Sequence, residues 1–325
     1  MQKEQVVIIG GGPCGMSCAI ELEKHGIKPL IIEKGNIVNT IYHYPTHQTF
    51  FSSSDKLEIG GVPFITEKQK PVRNQALAYY REVAERKQLR LHTYEHVTEV
   101  VKQSGKFDIL TKNYFGKLSS YQAEHVIIAT GYYDQPHYMN VPGENSPKVM
   151  HYFKEAHPFA GKNVMVIGGK NSAVDTTLEL HKAGANITVL YRGEAYSKSI
   201  KPWILPEFGS LVRKEIVQMY FQAQVKKITD DYVYFSASGE SYKIENDFVF
   251  AMTGYRPDYA FLKRIGVEVE TETGRPVHDQ ETYETTIPGL YVAGVVAAGY
   301  NNNRIFIENG RFHGEAIAES IVNSR

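Results

Sequence analysis

The sequence predicts an α/β protein of two three-layer domains, one inserted into the other, and three observations predict it. A strand–glycine loop–helix pattern opens the chain at 6–25, and a second occupies 163–183. Two further β-runs, 126–131 and 248–254, each close on Thr-Gly and are followed by aromatic residues and a proline, which read as crossover segments. Short apolar runs bounded by glycines and alternating with helices are the pattern of parallel βαβ units. The simplest arrangement places one domain at 135–254, inserted into another formed by 1–134 and 255–325.

Length and composition agree. A chain of 325 residues is long enough for two domains, and its 42% hydrophobic and 22% charged residues are ordinary globular usage. Thirty-six Lys and Arg balance thirty-six Asp and Glu, so no overall charge argues for nucleic acid or an anionic membrane surface. No apolar run approaches the roughly 20 residues of a spanning helix. The N-terminal stretch lacks the basic and long apolar regions of a signal peptide. Two cysteines, Cys14 and Cys18, cannot form a disulfide framework. A soluble cytoplasmic protein is expected.

The elements follow in order. Residues 6–9 read as a strand and 16–25 as a helix capped by Gly26, with the next strand at 29–32. Residues 79–88 read as a connecting helix, and 91–112 and 225–244 as β-meanders. In the second pattern the strand is 163–167, the helix 174–183 with Gly184 after it, and the next strand 187–191. Residues 310–322 read as a C-terminal helix.

Gly10-x-Gly12-x-x-Gly15 is a complete dinucleotide fingerprint, and it makes the fold class two Rossmann-like dinucleotide-binding domains. The first glycine permits a tight turn, the second lets the backbone approach a pyrophosphate, and the third packs the helix on its strand. The helix N-terminus then faces the negative charge. Glu33 ends the following strand, where an acid accepts hydrogen bonds from ribose hydroxyls. The second loop, Gly168-Gly169-Lys170-Asn171-Ser172-Ala173, has Lys170 where the second glycine is expected and Ala173 at the third. The Lys170 side chain either points to solvent or reaches a phosphate. Arg192 stands where an acid would read a free ribose diol; arginine suits a 2′-phosphate instead, so NADPH is expected over NADH, with Lys198 and Lys201 able to reinforce it.

With these residues and Ala129-Thr130-Gly131, Gly254-Tyr255-Arg256-Pro257 and Ile287-Pro288-Gly289-Leu290-Tyr291-Val292-Ala293-Gly294, the chain resembles the low-molecular-weight thioredoxin reductase-like flavoproteins along its full length. A thioredoxin reductase carries Cys-x-x-Cys before its NADPH strand, and 151–162 here contains no cysteine, which excludes that activity. Within the group the chain is most similar to the YpdA-type bacillithiol disulfide reductases. The shared runs are Gly-Gly-Gly-Pro-Cys14-Gly, the stretch from Tyr44 to Ser54, Gly168-Gly169-Lys170-Asn171-Ser172, Lys201-Pro202-Trp203-Ile204-Leu205-Pro206 and Ile305-Phe306-Ile307-Glu308-Asn309-Gly310.

The resemblance implies FAD and NADPH as cofactors and a low-molecular-weight disulfide, bacillithiol disulfide, as substrate. A bacilliredoxin-type protein partner and a homo-oligomeric assembly are expected with it. It implies an FAD site of Gly10, Gly12, Pro13, Cys14, Gly15, Glu33, Lys34, Tyr42, Gln48, Thr49, Val97, Thr130, Gly131, Gly294, Val295 and Ile305. The NADPH site would be Gly168, Gly169, Lys170, Asn171, Ser172, Ala173, Tyr191, Arg192, Lys198 and Gly254. The family follows the glycine at 294 with aspartate, and Val295 cannot supply its polar contact to the ribityl chain.

Cys14 is the candidate catalytic residue, and the resemblance implies it as the redox centre. A thiol at a helix N-terminus is expected to have a lowered pKa, while a neighbouring pyrophosphate would oppose this. A small packing residue is the competing reading, and Cys18, one turn on, reads as core. His43, His47, His151, His157 and His313 show no metal-ligand spacing, so no metal is expected; His313 reads either as a proton donor or as a polar contact. Two rival functions remain open: a thioredoxin reductase-like ferredoxin–NADP reductase, and a non-catalytic redox sensor that binds both cofactors. A flavin monooxygenase fits less well, because 153–157 lacks that family's glycine.

Overall fold

In the computed structural model, which describes residues 1–301 and 304–324, the chain divides into two compact units, Met1–Gln135 with Arg256–Arg325 and Pro136–Tyr255.

The first unit is organised by a mixed sheet. Its strands are β1 (Gln2–Ile9), β2 (Leu30–Ile32), β3 (Leu91–His92), β4 (Glu95–Gln103), β5 (Lys106–Asn113) and β6 (Leu118–Ile128), in the spatial order β3-β2-β1-β6-β5-β4. β1 lies parallel to both β2 and β6. The long β6 serves two partners: 118–123 pair antiparallel with β5, and 126–128 pair parallel with the strand Leu290–Val292. Burial follows that division. The end of β6 and all of Leu290–Val292 are continuously buried, as parallel strands covered on both faces are, whereas β5 alternates between core and solvent.

Helix α1 (Pro13–Lys24) packs on this sheet and buries Gly15, Met16, Ser17, Cys18, Ala19, Ile20 and Leu22. The C-terminal helix His313–Asn323 lies close against it: a Cβ built on Gly314 would stand 2.9 Å from the Cys18 Cα, and the Ser17 hydroxyl donates to the Arg311 carbonyl at 2.6 Å. Helix α2 (Arg73–Arg86) begins six residues before the expected 79. The Val72 amide donates to the Gln75 side chain at 2.9 Å, which satisfies an N-terminal donor and starts the helix there. The C-terminal helix likewise starts at His313 rather than 310, after a separate short turn Ile307–Gly310.

The second unit holds an all-parallel sheet of β7 (Val149–Met150), β8 (Asn163–Ile167), β9 (Asn186–Leu190), β10 (Val217–Tyr220) and, after an antiparallel meander β11 (Ala223–Ile228), β12 (Tyr232–Ala237) and β13 (Glu240–Glu245), β14 (Phe248–Ala251). Its order is β10-β9-β8-β14-β7. Helix α3 (Asn171–Lys182) follows β8 and buries Ala173, Val174, Thr176, Thr177, Leu178 and Leu180. In both units the glycine loop therefore leaves the carboxyl end of a central parallel strand, the position where doubly wound sheets bind ligands.

Candidate functional site

Gly10 turns the chain out of β1 at φ +115, and a Cβ there would stand 2.4 Å from the Ala129 carbonyl oxygen. That close approach brings the Ala129-Thr130-Gly131 turn beside the loop, fixed further by the Ala129 amide donating to the Ile9 carbonyl at 2.8 Å. Gly15 is as constrained, its Cβ position lying 2.1 Å from the Gly10 carbonyl oxygen, so α1 sits directly on the strand end. Gly12 is the contrast, because nothing stands within 4 Å of its Cβ position. It is the N-cap of α1, with no side-chain cap and no acidic residue in the first turn. Uncapped helical amides facing open space form a site for an anion.

The Glu33 carboxylate is pinned beside the loop. One oxygen accepts the Gly11 amide at 2.7 Å and the other the Gly35 amide at 2.8 Å. It is buried, and desolvation raises its pKa while the two amides pull it down. A carboxylate has about four acceptor sites, so two remain for ribose hydroxyls. The cradle, the open Gly12 face and the fixed acid fit the dinucleotide expected there.

The other expected FAD residues have these surroundings. Lys34 pairs with Asp134 at 2.7 Å. Tyr42 is exposed, and its carbonyl accepts two bonds from the buried Arg73 guanidinium, at 2.6 and 3.2 Å. The Arg73 amide donates to the Gln48 carbonyl at 2.8 Å, and Thr49 bridges to Val72. Arg73, which the sequence reading overlooked, thus ties down Tyr42 and Gln48; an arginine opening an amphipathic helix carried no signal of it. Val97 turns its side chain into the core from β4. Val295 and Ile305 are half-buried.

Cys14 occupies a slot made by absent side chains. A Cβ on Gly294 would lie 2.9 Å from both its Cβ and its Sγ, and one on Gly310 2.9 Å from the same sulfur and 3.2 Å from Ile305. The expectation of a lowered thiol pKa is corrected here: burial pushes the Cys14 thiol up to about 12, and the Glu308 carboxylate adds to the rise. At pH 7 the thiol is then protonated. Cys14 keeps some exposure, but Gly294 and Gly310 crowd its sulfur from the far end of the chain, and desolvation there outweighs the helix N-terminus. Glu308 in turn accepts a hydrogen bond from the Ser52 hydroxyl. Cys18 is fully buried and unpaired, and it too has its pKa raised by burial.

His313 is no exposed proton donor. It is 6% exposed, its Nδ1 accepts the Gly294 amide at 3.2 Å, and its ring stacks on Tyr283 with centroids 4.1 Å apart. Burial, then His278, lowers its pKa to about 4, so the ring is neutral at physiological pH.

The second loop repeats the first with variations. A Cβ on Gly168, at φ +144, would stand 2.4 Å from the Met252 carbonyl oxygen. Lys170 is the N-cap of α3; it is exposed and extended, and the helix has no side-chain cap and no acid in its first turn, so this end also suits an anion. The Tyr191 ring is wedged between two glycines, 2.2 Å from a Cβ on Gly169 and 2.5 Å from one on Gly193. Asn171 is already engaged: its amide nitrogen donates to the Ser199 carbonyl at 3.0 Å and its oxygen accepts the Lys201 amide at 2.9 Å. Its side chain clamps the 199–201 segment. Arg192, Lys198 and Ser172 are exposed, Ala173 is buried, and Gly254 accepts the His137 amide at 2.9 Å. Gly193 went unread in the sequence, although a glycine directly after Arg192 was its signal.

Among the described residues no group of three or more His, Cys, Asp or Glu is arranged to hold a metal, and no helix is long and apolar enough to cross a membrane.

Comparison with known proteins bears out the resemblance. A family model described as pyridine nucleotide-disulphide oxidoreductase matches residues 7–294. Bacilliredoxin reductase Bdr of Bacillus subtilis (strain 168) is 60% identical over 324 residues, 99% of this chain and 98% of that protein. The solved structure of bacillithiol disulfide reductase Bdr (YpdA) from Bacillus cereus, 60% identical, superposes with a TM-score of 0.99 over all of both chains. That of Bdr (YpdA) from Staphylococcus aureus, 56% identical, gives 0.96 with the same coverage.

Proposed function

Because the chain belongs to the pyridine nucleotide-disulphide oxidoreductase family, and is with it an enzyme using FAD and NADPH, we propose that it reduces bacillithiol disulfide. The observation that carries the substrate is full-length 60% identity to a bacilliredoxin reductase and to a bacillithiol disulfide reductase. The proposal includes a bacilliredoxin-type protein as partner and the cytoplasm as the place of work, a compartment in which the unpaired Cys14 and Cys18 stay reduced.

We assign FAD to the unit Met1–Gln135 with Arg256–Arg325 and NADPH to Pro136–Tyr255. The open face at Gly12 and the N-terminus of α1 would receive the FAD pyrophosphate, with Glu33 accepting from its ribose. The N-terminus of α3 would receive the NADPH pyrophosphate, with Arg192 on the 2′-phosphate. When bound, the flavin supplies a two-electron relay from the nicotinamide to the disulfide. Cys14 stands at the loop as a protonated thiol. Attack on a disulfide requires the thiolate, so a nucleophilic Cys14 must lose its proton in an opened slot, while direct reduction of the disulfide needs no such step.

The test follows NADPH consumption by the purified, flavin-loaded enzyme with bacillithiol disulfide, other small disulfides and ferredoxin. Stimulation by bacillithiol disulfide is expected. Stimulation by ferredoxin alone would assign the rival reductase, and bleaching of the flavin by NADPH without turnover would assign a sensor. Cys14→Ser decides between a mixed disulfide on Cys14, in which case turnover falls at least about a hundredfold, and direct transfer, in which case it persists.

A further inference from the structure

His313 is buried and joined to the Cys14 slot, yet the reaction as described leaves it without a task. It opens the C-terminal helix, and its ring position is over-determined. Tyr283 stacks on one face at 4.1 Å and 17°, and Tyr283 itself stacks on His278 at 5.9 Å and 17°. The Tyr283 backbone is tied down from both sides, its amide donating to Asp279 at 2.9 Å and its carbonyl accepting the Val292 amide at 3.0 Å. The imidazole is therefore a fixed acceptor, with its proton on Nε2, because Nδ1 receives the Gly294 amide at 3.2 Å. Its depressed pKa agrees with a ring kept neutral for that purpose.

Gly294 is what the acceptor holds. It is buried, has φ +75 and begins the 3₁₀ turn Gly294–Ala298, where the first amide has no partner within the turn. Its α-carbon forms one wall of the slot, since any Cβ there would strike Cys14 at 2.9 Å, and it also faces Gly310, the other wall, at 3.3 Å from that residue's Cβ position. The chain of contacts runs from the Tyr283 stack through the His313 Nδ1 and the Gly294 amide to the Cys14 sulfur.

We infer that His313 is a positioning residue that holds Gly294 against the partly exposed Cys14, narrowing the slot and setting how far the sulfur is accessible. The inference rests on the reading of Cys14 and the 294–298 turn as parts of the flavin site. It makes His313 the latch of the slot, acting on Cys14 through Gly294.

The test compares variants at 313 in the FAD-loaded enzyme by the rate at which iodoacetamide alkylates Cys14, read by peptide mass so that Cys18 is counted apart. An asparagine oxygen falls near the place of the imidazole Nδ1, whereas a glutamine oxygen falls beyond it. His313→Leu and His313→Gln are expected to speed alkylation about fivefold, the population change for one lost hydrogen bond, with His313→Asn within about twofold of the native rate. Should the leucine variant not fold, the glutamine and asparagine variants make the same comparison. Native rates in the leucine and glutamine variants would overturn the inference, as would an asparagine variant as fast as they are. Failure of the functional proposal would show separately, as absence of bacillithiol disulfide turnover by the native enzyme.

Discussion

The two glycine loops share one backbone plan and differ in how they are closed. Each begins with a glycine whose Cβ would stand 2.4 Å from a carbonyl oxygen of the neighbouring strand end, Ala129 for the first and Met252 for the second. Around the first, the charged group is a buried carboxylate with both oxygens pinned by backbone amides, and the partly exposed Cys14 is crowded by residues 280 positions or more away in sequence. Around the second, the charged groups are exposed: Lys170, Arg192 and Lys198 all face water. Buried, pre-oriented acceptors bind with little ordering cost and are barely screened by salt, whereas exposed cations attract at long range and release easily. On the proposed assignment, the difference separates a dinucleotide that stays, FAD at the first loop, from one that arrives reduced and leaves oxidised, NADPH at the second.

Breaking the shared plan gives the largest effects. In Gly10→Ala and Gly168→Ala a methyl group meets a carbonyl oxygen at 2.4 Å, at positive φ in both cases. The strain is on the order of 3 kcal/mol or more, enough to displace either loop. The expected outcomes differ because the proposed tenants differ. Gly10→Ala should purify nearly colourless, and Gly168→Ala should remain yellow but no longer bleach with NADPH. Absorbance at the flavin band, before and after NADPH, checks both. A yellow Gly10→Ala protein would remove FAD from the first loop.

How much of this was legible in the sequence follows from where the determining atoms lie. The backbone of the loops and the place of Glu33 and Arg192 at the following strand ends were readable because strand, turn and helix fall within one short βαβ stretch. The state of Cys14 was not, since the helix end that favours a thiolate is adjacent in sequence while the walls that oppose it, Gly294, Glu308 and Gly310, are not. The His313 acceptor role was hidden for the same reason, because its donor is a backbone amide that no side-chain pattern reports. Asn171 has a second task that its place in the loop motif does not report, since its side-chain amide bonds Ser199 and Lys201. Tyr191 shows a middle case: a bulky ring between two glycines is readable, once Gly193 is noticed, as space left for that ring.

Acid should sharpen the comparison, because His313 in the first unit and Asp175 in the second titrate with opposite effect on stability. His313 has its pKa lowered from 6.5 to about 4 by burial and by His278, with the Tyr283 ring against its face. Between those values the unfolded chain binds the extra proton, so its contribution is full above 6.5 and is lost as pH falls toward 4, about 3 kcal/mol in all. Asp175 on α3 has its pKa raised from 3.8 to about 6 by burial and by Glu179, with Lys182 opposing. There the folded state binds the proton, so stability is gained as pH falls from 6 toward 3.8. Release of flavin fluorescence on heating should therefore shift to lower temperature from pH 7 to pH 5, and His313→Asn should flatten that shift. An equal shift in the variant would show that other groups govern it.

The finest contrast lies within the second loop, between two cations that both face solvent. Arg192 follows the wedged Tyr191 at the end of β9, and its planar guanidinium can grip a phosphate with two parallel bonds. Replacing it with glutamine should raise the KM for NADPH about tenfold to a hundredfold, the worth of a charge-assisted pair, while leaving the KM for NADH within about twofold. Lys170 occupies the N-cap of α3, but its backbone is already extended, with φ −110 and ψ −170, so Lys170→Gly removes only a point charge on a flexible stem. A change in KM of no more than about threefold is expected, fading as salt is raised to 0.5 M or so. If instead Lys170→Gly costs as much as Arg192→Gln and the loss persists in salt, the lysine reaches a phosphate directly. The second loop would then hold its dinucleotide by charge where the first does so by shape.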